Sequence, residues 1–376
     1  MKVVFTGGGS GGHIYPLIAV AQSLNAIIDK ENIANVRLYH FSDVPYDPDS
    51  FLEQHIEFVQ IPAGKNRLYS SFQNFVDMFK VLHGILVALV KLYRIYPDVV
   101  FSKGGYASFP TLVAAHILRI PIIIHESDTV PGRVSRISGK WATRIAVAFP
   151  EAVSYFDKEK VACVGLPVRR ELQRVIKEGA YEYLKLDPNI PVIVIFGGSQ
   201  GASPINDVII SALPELVKDY QVIHQVGIKN IDEFKKITDS ILLSNPNQRR
   251  YVALGFLNAL ATSMAAGVAS VIVSRAGSQI FEIAGWSVPA IVIPITNSNG
   301  DHQRKNAYAY AQAGGCVVIE ESNFTPHVLI SEIHRIIDNP DISEKMRLSA
   351  KSFSKPDAAD VIAREIINIA LSHETS

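Results

Sequence analysis

Short Val/Ile-rich runs recur along the chain, each closed by a glycine or polar turn and most followed by a longer amphipathic stretch. Continuous apolar runs of this length suit strands buried on both faces, and the stretches between them suit helices. In the first half the pattern predicts strands at Lys2–Phe5, Val36–Phe41, Phe58–Ile61, Asp98–Ser102 and Pro121–His125. It predicts helices over Ile14–Ile28, Tyr69–Ile95 and Thr111–Leu118, the long one bending at Gly84 and stopping before Pro97. In the second half strands are predicted at Val192–Phe196, Gln221–Gln225, Tyr251–Leu254, Val271–Ser274, Ala290–Ile293 and Cys316–Ile319. Alternation of this kind predicts an α/β fold, a parallel sheet wrapped on both faces by helices, once in each half. Glycine and proline in Val164-Gly-Leu-Pro-Val168 interrupt the pattern and mark a boundary. The expected division is a first domain over 1–164, a second over 165–355, and a last helix in 356–376 that crosses back to the first.

Composition supports two ordinary cores: 376 residues, 48% hydrophobic and 19% charged. A net charge of zero lacks the basic excess usual for nucleic-acid binding, so no nucleic-acid partner is expected. Cys163 and Cys316 lie in apolar, strand-like surroundings and read as reduced, buried thiols of a cytoplasmic protein. A strand beginning at Lys2 leaves no room for a signal peptide ahead of it. The apolar stretch Val81–Val90 is broken by His83 and Gly84, and falls short of the roughly 20 apolar residues a membrane span needs.

Two glycine-rich turns carry the first chemical signal. Gly7-Gly-Gly-Ser-Gly-Gly-His13 follows the first strand, and Gly197-Gly-Ser-Gln-Gly-Ala202 follows the strand that opens the second half. Glycines let a backbone approach an anion, and the helix that follows presents unpaired N–H groups and its positive dipole end. The pair predicts two Rossmann-like domains facing each other across a phosphate-bearing ligand. Gly7, Gly9 and Gly12 satisfy G-x-G-x-x-G, but a dinucleotide site also needs an acid at the end of the second strand. Asp43 falls late for that, in a Pro/Asp-rich loop. No Gly-Lys-Ser/Thr follows either turn, so a P-loop is excluded as well. His13 is either a helix-terminal histidine or a base beside an anion site, and the glycines around it favour the base.

Further polar clusters stand at predicted strand ends. Gly104-Gly105-Tyr106 forms a third glycine turn, and His125-Glu-Ser-Asp128 closes a wholly apolar strand. Arg169 offers a fork matched to phosphate oxygens, or is a solvated linker charge. Ser274-Arg-Ala-Gly-Ser-Gln-Ile-Phe-Glu282, and Asp301 with Gln303 and Asn306, place carboxylate and amide groups at two adjacent strand ends. Such groups suit a ribose diol and sugar hydroxyls. No His, Asp or Glu cluster has metal-ligand spacing, and no cofactor is expected.

These segments together resemble the MurG family of bacterial N-acetylglucosaminyltransferases, which convert lipid I to lipid II in peptidoglycan synthesis. The resemblance rests on Gly7–Pro16, Gly104–Tyr106, His125-Glu126 with Pro131-Gly132, Gly165 with Pro167-Val-Arg169, Gly197–Ala202, Ser274–Gly277, and Asp301–Gln303 with Asn306-Ala307. They span nearly the whole chain in the family's order. The resemblance implies a GT-B fold, two Rossmann-like parallel-sheet domains facing across a cleft, with the acceptor on the first and UDP-GlcNAc mostly on the second. It implies inverting transfer of GlcNAc from UDP-GlcNAc to the MurNAc of undecaprenyl-diphospho-MurNAc-pentapeptide, the alternatives being a GT-B transferase with another lipid or small-molecule acceptor, an enzyme hydrolysing or epimerising UDP-GlcNAc, or a nucleotide-sugar-binding protein without turnover. It also implies His13 as the base. Ser10, Gly11 and Gly12 match donor-contacting backbone, Arg169 and Ser199 the diphosphate contacts, and Leu257 an amide that meets uracil. Glu282 matches the ribose carboxylate and Gln303 the amide holding GlcNAc hydroxyls. Tyr106, Glu126, Asp128, Gln200 and Ser278 complete the expected substrate contacts.

Two departures accompany the resemblance. The usual His-Glu-Gln-Asn is here His125-Glu126-Ser127-Asp128, so a sugar-contacting amide becomes a carboxylate. The segment Gly277 to Glu282 is one residue shorter than the common pattern, which a shifted helix start would absorb. A lipid-linked acceptor further implies a peripheral enzyme on the cytoplasmic face of the membrane, meeting an anionic lipid surface, with room for cell-wall synthesis proteins as partners. Two surfaces are expected to make the contact: Phe72, Phe75, Phe79 and Leu82 flanked by Lys65, Arg67 and Lys80, and a helical stripe of Arg133, Arg136, Lys140 and Arg144 beside Trp141.

Overall fold

Val3 and Phe5 of the first strand point into one apolar cluster and Val4 into another, so the strand is buried on both faces. The same alternation runs through Val99, Val100 and Phe101. This is the sequence logic of a parallel sheet between two helical layers. The structure, a computed structural model, describes residues 1–64, 72–198, 201–296 and 299–372. Ser199, Gln200, Lys65 and Arg67 lie outside the described residues, as do the side chains of Phe72 and Phe75.

The chain divides into two units, Met1–Arg170 with Lys355–Ser376, and Glu171–Ser354. The first holds β1 (Lys2–Thr6), β2 (Arg37–Ser42), β3 (Ile56–Gln60), β4 (Val99–Ser102), β5 (Ile122–Glu126), β6 (Arg144–Val147) and β7 (Val161–Cys163). They pair in parallel in the order β3-β2-β1-β4-β5-β6-β7. Its helices are α1 (Gly11–Glu31), α2 (Pro48–Glu53), α3 (Phe72–Ile95), α4 (Phe109–Ile117) and α5 (Arg133–Ser138). Within α3, Gly84 packs where any Cβ would collide with the Pro62 carbonyl, so the glycine permits close approach of helix to loop.

The second unit holds β8 (Val192–Phe196), β9 (Gln221–Gln225), β10 (Tyr251–Leu254), β11 (Ala269–Ser274), β12 (Ala290–Val292) and β13 (Cys316–Val318). Their order is β10-β9-β8-β11-β12-β13, again all parallel. Around them lie α6 (Ala180–Tyr183), α7 (Ser203–Asp219), α8 (Ile231–Ile241), α9 (Ala259–Val268), α10 (Gln279–Trp286), α11 (His302–Gln312), α12 (Pro326–Ile337) and α13 (Pro340–Phe353). The chain closes with α14 (Ala358–Leu371), which packs Ile362, Ile366 and Ile367 into the same core cluster as Leu17 and Ile18 of α1.

Two expectations are corrected. Arg133, Arg136, Lys140 and Arg144 do not share a helical face, because α5 ends at Ser138 and Arg144 begins β6. Arg136 lies over the Tyr155 ring at 5.1 Å, Arg144 bonds Glu365 at 2.9 Å, and Trp141 stacks on His116 at 4.7 Å. The basic spacing mimicked a helix only because a short helix, a turn and the start of a strand happen to carry basic residues in series. Asp43 is not late either: β2 runs to Ser42, and Asp43 follows it directly. Both cysteines are free thiols, Cys316 buried and Cys163 only half-buried.

Candidate active site

In each sheet the strand order reverses between two neighbours, β1 and β4 in the first and β8 and β11 in the second. Ligands in open α/β sheets bind beyond the strands' carboxyl ends at such a switch point, where diverging connections leave a crevice. The turns at Gly7–Gly12 and Gly104–Tyr106 follow β1 and β4. Those at Gly197–Ala202 and Arg275–Ser278 follow β8 and β11. All four glycine turns thus stand where the topology opens a site.

In the first unit, Ser10 occupies the N-cap position of α1 but its side chain makes no capping bond. Its Oγ lies 2.9 Å from Nδ1 of His13 instead. With the proton on Nδ1 donated to Ser10 Oγ, Nε2 keeps its lone pair, the form a general base requires. That edge of the ring faces Gly105, where a Cβ would lie 3.4 Å from Nε2, and Gly105 has φ +83°. Gly11 and Gly12 form the first residues of α1. Gly9, at φ +93°, makes room for the Tyr106 ring. The Tyr106 hydroxyl donates to Asp43 Oδ2 at 2.7 Å, and burial with this bond raises the phenol's pKa above its ordinary value. Beneath the turn, buried His40 places Nε2 3.2 Å from the Gly7 carbonyl. Burial lowers its pKa to about 4, so at neutral pH the uncharged ring donates to that carbonyl.

The end of β5 is occupied by charge. His125 is fully buried and donates from Nε2 to the Gly165 carbonyl at 2.8 Å, and burial holds it well below its usual pKa. Glu126 accepts from the backbone N–H of Asp128 at 3.0 Å and of Gly132 at 3.1 Å, fixing the loop between them. Burial pushes its carboxyl up, and Asp128 adds to the effect. Sequence reasoning missed Lys103, which follows β4 and is only 2% exposed. A lysine directly between an apolar strand and Gly104-Gly105 was the available signal. Arg169 lies over the Tyr15 ring, its guanidinium carbon 4.0 Å from the ring centre.

In the second unit, Gly201 is braced from below. Gly201 has φ +79°, and a Cβ there would strike the Val226 carbonyl. That carbonyl accepts from Asn206 Nδ2 at 3.1 Å, Asn206 Oδ1 meets His224 Nε2 at 3.2 Å, and His224 Nδ1 meets the Tyr251 hydroxyl at 3.1 Å. Burial lowers His224 to about 3, so it serves as a neutral donor and acceptor. Ser278 takes the N-cap position of α10, and half-buried Glu282 lies in its first turn. Gln303 lies in the first turn of α11, its Oε1 accepting from Ile295 N–H at 3.3 Å. Asp301 stands at the N-cap with φ +58° and makes no side-chain capping bond, so capping does not account for it. Asn306 is buried and donates to the Ala276 carbonyl at 3.4 Å, tying α11 to the turn after β11. Leu257 is buried just ahead of α9, beside exposed Phe256.

Arg275 and Glu321, a pair sequence reasoning did not connect, clamp this edge at 2.7 Å. Arg275 also donates to the Ile293 carbonyl at 3.2 Å, and Glu321 accepts from Thr296 N–H and hydroxyl at 3.1 and 2.8 Å. Partial burial works to raise the Glu321 carboxyl, but the bonds from Arg275 and Thr296 outweigh it and bring it below its ordinary value. The clamp fixes the carboxyl ends of β11 and β12, and so the loops carrying Ser278, Glu282 and Gln303.

Two doubly wound parallel-sheet units, each with glycine turns at its switch point, are the architecture of the GT-B glycosyltransferases. Comparison with known proteins agrees. The glycosyltransferase family 28 N-terminal domain matches residues 3–147, and the family 28 C-terminal domain matches residues 192–362. The UDP-N-acetylglucosamine--N-acetylmuramyl-(pentapeptide) pyrophosphoryl-undecaprenol N-acetylglucosamine transferase of Treponema denticola is 35% identical over 95% of this chain and 93% of its own. The chain belongs to this family, the MurG transferases. The crystal structure of Acinetobacter baumannii MurG shares the fold at a TM-score of 0.73 and 23% identity, covering 98% of this chain and 99% of that one. UDP-GlcNAc 2-epimerase from Neisseria meningitidis, bound to UDP-GlcNAc, shares it at a TM-score of 0.68 and 16% identity, over 98% and 100% of the chains.

Proposed function

We propose that this chain moves GlcNAc from UDP-GlcNAc to the MurNAc of undecaprenyl-diphospho-MurNAc-pentapeptide, lipid I, with inversion at the anomeric carbon, yielding lipid II for peptidoglycan synthesis. The observation that carries the reading is the placement of anion-suited glycine turns at both switch points in a chain of this family. In this reading the first unit holds the acceptor and the second most of the donor. His13 takes the proton from the acceptor hydroxyl as it attacks opposite the departing UDP, through an oxocarbenium-like state. Arg169 and the second glycine turn, with Ser199 and Gln200, stabilise the charge that grows on the leaving diphosphate. Glu282 accepts from the ribose diol, Gln303 holds sugar hydroxyls, and the Leu257 amide meets the base. Transfer of radiolabelled GlcNAc to lipid I tests the reading. Release of free sugar, or formation of a 2-epimer without lipid product, would overturn it.

The acceptor's polyprenyl chain stays in the bilayer, so the enzyme works as a peripheral protein on the cytoplasmic face. Helix α3 supports that placement. Phe79, Leu82, Leu86, Val90 and Tyr93 recur at helical spacing and each is more than half exposed. Lys80, Lys91 and Arg94 are exposed on the same helix, and each basic group near anionic lipid contributes about 1 kcal/mol. No helix among the described residues is long and apolar enough to cross a membrane.

A further inference from the structure

Asp43 directly follows β2, the place where a dinucleotide-binding sheet carries the acid that accepts from a ribose diol. Here the carboxylate is turned to the protein instead. Its Oδ2 accepts from the Tyr106 hydroxyl at 2.7 Å, and its Oδ1 from the Ser42 hydroxyl at 3.4 Å. Its backbone carbonyl accepts from Nε2 of Gln60, the last residue of β3, at 3.1 Å. Tyr106 belongs to the turn after β4, on the far side of β1 in the sheet, so the Asp43–Tyr106 bond spans β1. The turn that follows β1 is packed against both partners. A Cβ on Gly8 would crowd Ser42 Oγ and lie 3.6 Å from Asp43 Oδ1, and one on Gly9 would lie 3.0 Å from the Tyr106 ring. The next residue is Ser10, whose Oγ meets His13 Nδ1 at 2.9 Å. The Nε2 edge of the same imidazole faces Gly105, the residue before Tyr106.

We infer that Asp43 is a positioning residue for His13: by fixing Tyr106 across β1 it sets the Gly8–Ser10 turn, and with it the direction in which the imidazole presents Nε2. The inference rests on the reading of His13 as the base. It adds that an acid on a different strand decides how well that base is aimed. A carboxylate acceptor makes the bond from the phenol short and strong. A base meets its proton only within a narrow range of distance and angle, so a small shift of the ring costs rate and leaves donor affinity in place.

The test uses the full chain with Asp43→Ala, Asp43→Asn, Tyr106→Phe and His13→Ala, and with Asp43→Ala and Tyr106→Phe each combined with His13→Ala. For each, kcat for GlcNAc transfer to lipid I, KM for UDP-GlcNAc and the Kd of UDP are measured. Asp43→Ala and Tyr106→Phe are each expected to lower kcat about 10–100-fold, with KM for UDP-GlcNAc and the UDP Kd within about twofold of wild type. Asp43→Asn keeps an oxygen that accepts from the phenol, and should recover to within about threefold of wild type. In the His13→Ala background either change should cost no more than about twofold further, because the group being positioned is gone. If Asp43→Ala does not fold, Tyr106→Phe breaks the same bond by removing one oxygen and carries the test. Wild-type kcat in Asp43→Ala or Tyr106→Phe, a loss carried by KM or by UDP binding, Asp43→Asn as slow as Asp43→Ala, or an undiminished loss in the His13→Ala background each overturns the inference. Wild-type turnover in His13→Ala overturns instead the base assignment beneath it.

Discussion

The Arg169 guanidinium lies 4.0 Å above the centre of the Tyr15 ring, which ties a residue next to the end of the first unit to the second turn of its first helix. Such stacking holds a long, flexible cation in one place and contributes about 0.5–2 kcal/mol. If Arg169 meets the diphosphate, Tyr15→Ala should weaken UDP binding about three- to tenfold, while Tyr15→Phe keeps the ring and the affinity. Titration calorimetry with UDP decides it, and an unaffected alanine variant removes Tyr15 from the site.

His13→Ala should leave UDP-GlcNAc affinity nearly intact and lower turnover by about 10²–10⁴, the usual effect of losing a general base. Ser10→Ala should lower turnover less, since it frees the ring without removing it. Wild-type turnover in the His13 variant would falsify the assignment.

Glu282 and Gln303 should separate by ligand. Glu282→Ala weakens UDP and UDP-GlcNAc alike, because both carry the ribose diol, whereas Gln303→Ala weakens only the intact sugar nucleotide. Calorimetry with each ligand reads this out. Equal losses for UDP in both variants contradict it, and the Gln303 bond to Ile295 makes a melting temperature a necessary control.

His40 should make the fold acid-sensitive. Its pKa is lowered from 6.5 to about 4 by burial, so its stabilising effect is complete above about 6.5 and is lost as pH falls towards 4. The loss is about 3 kcal/mol across that window. Buried His224 and His125 act in the same direction. His40→Gln should therefore flatten, not abolish, the fall in urea-unfolding stability between pH 6.5 and 4. A variant with the wild-type slope removes His40 from the account.

Membrane association should depend on α3. Replacing Leu82, Leu86 and Val90 by Ser should abolish co-sedimentation with anionic vesicles and leave turnover on a detergent-solubilised, short-chain acceptor in place. Changing Arg133, Arg136 and Lys140 to Glu should matter less, since they form no common helical face. The reverse order of effects would move the contact away from α3.

Much of the fold was legible along the chain. Fully buried parallel strands announce themselves as Val/Ile runs, and Lys2–Phe5 or Val192–Phe196 needed little beyond that pattern. The short strands β6 and β7 did not, because three or four residues carry no long apolar run, and β7 at the sheet edge is not buried. The stretch Arg133 to Arg144 misled for the same reason: spacing along a chain cannot say where a helix stops.

The glycine turns could be named from sequence, since each follows a strand signal and a tight turn calls for glycine, whereas His13, Glu282 and Gln303 took their particular roles from the family resemblance. Which of them share a sheet edge, and which buried groups stand behind them, could not. Tyr106 on Asp43, His40 under Gly7 and the Arg275–Glu321 clamp each join residues from different strands or the turns that follow them. Sequence alone determined the strands, the turns and the anion-suited backbone, because those depend on near neighbours. Only the strand order of the two sheets decided the partners, because side chains distant in sequence meet, lose water and acquire their charge balance when the sheet brings them to one edge.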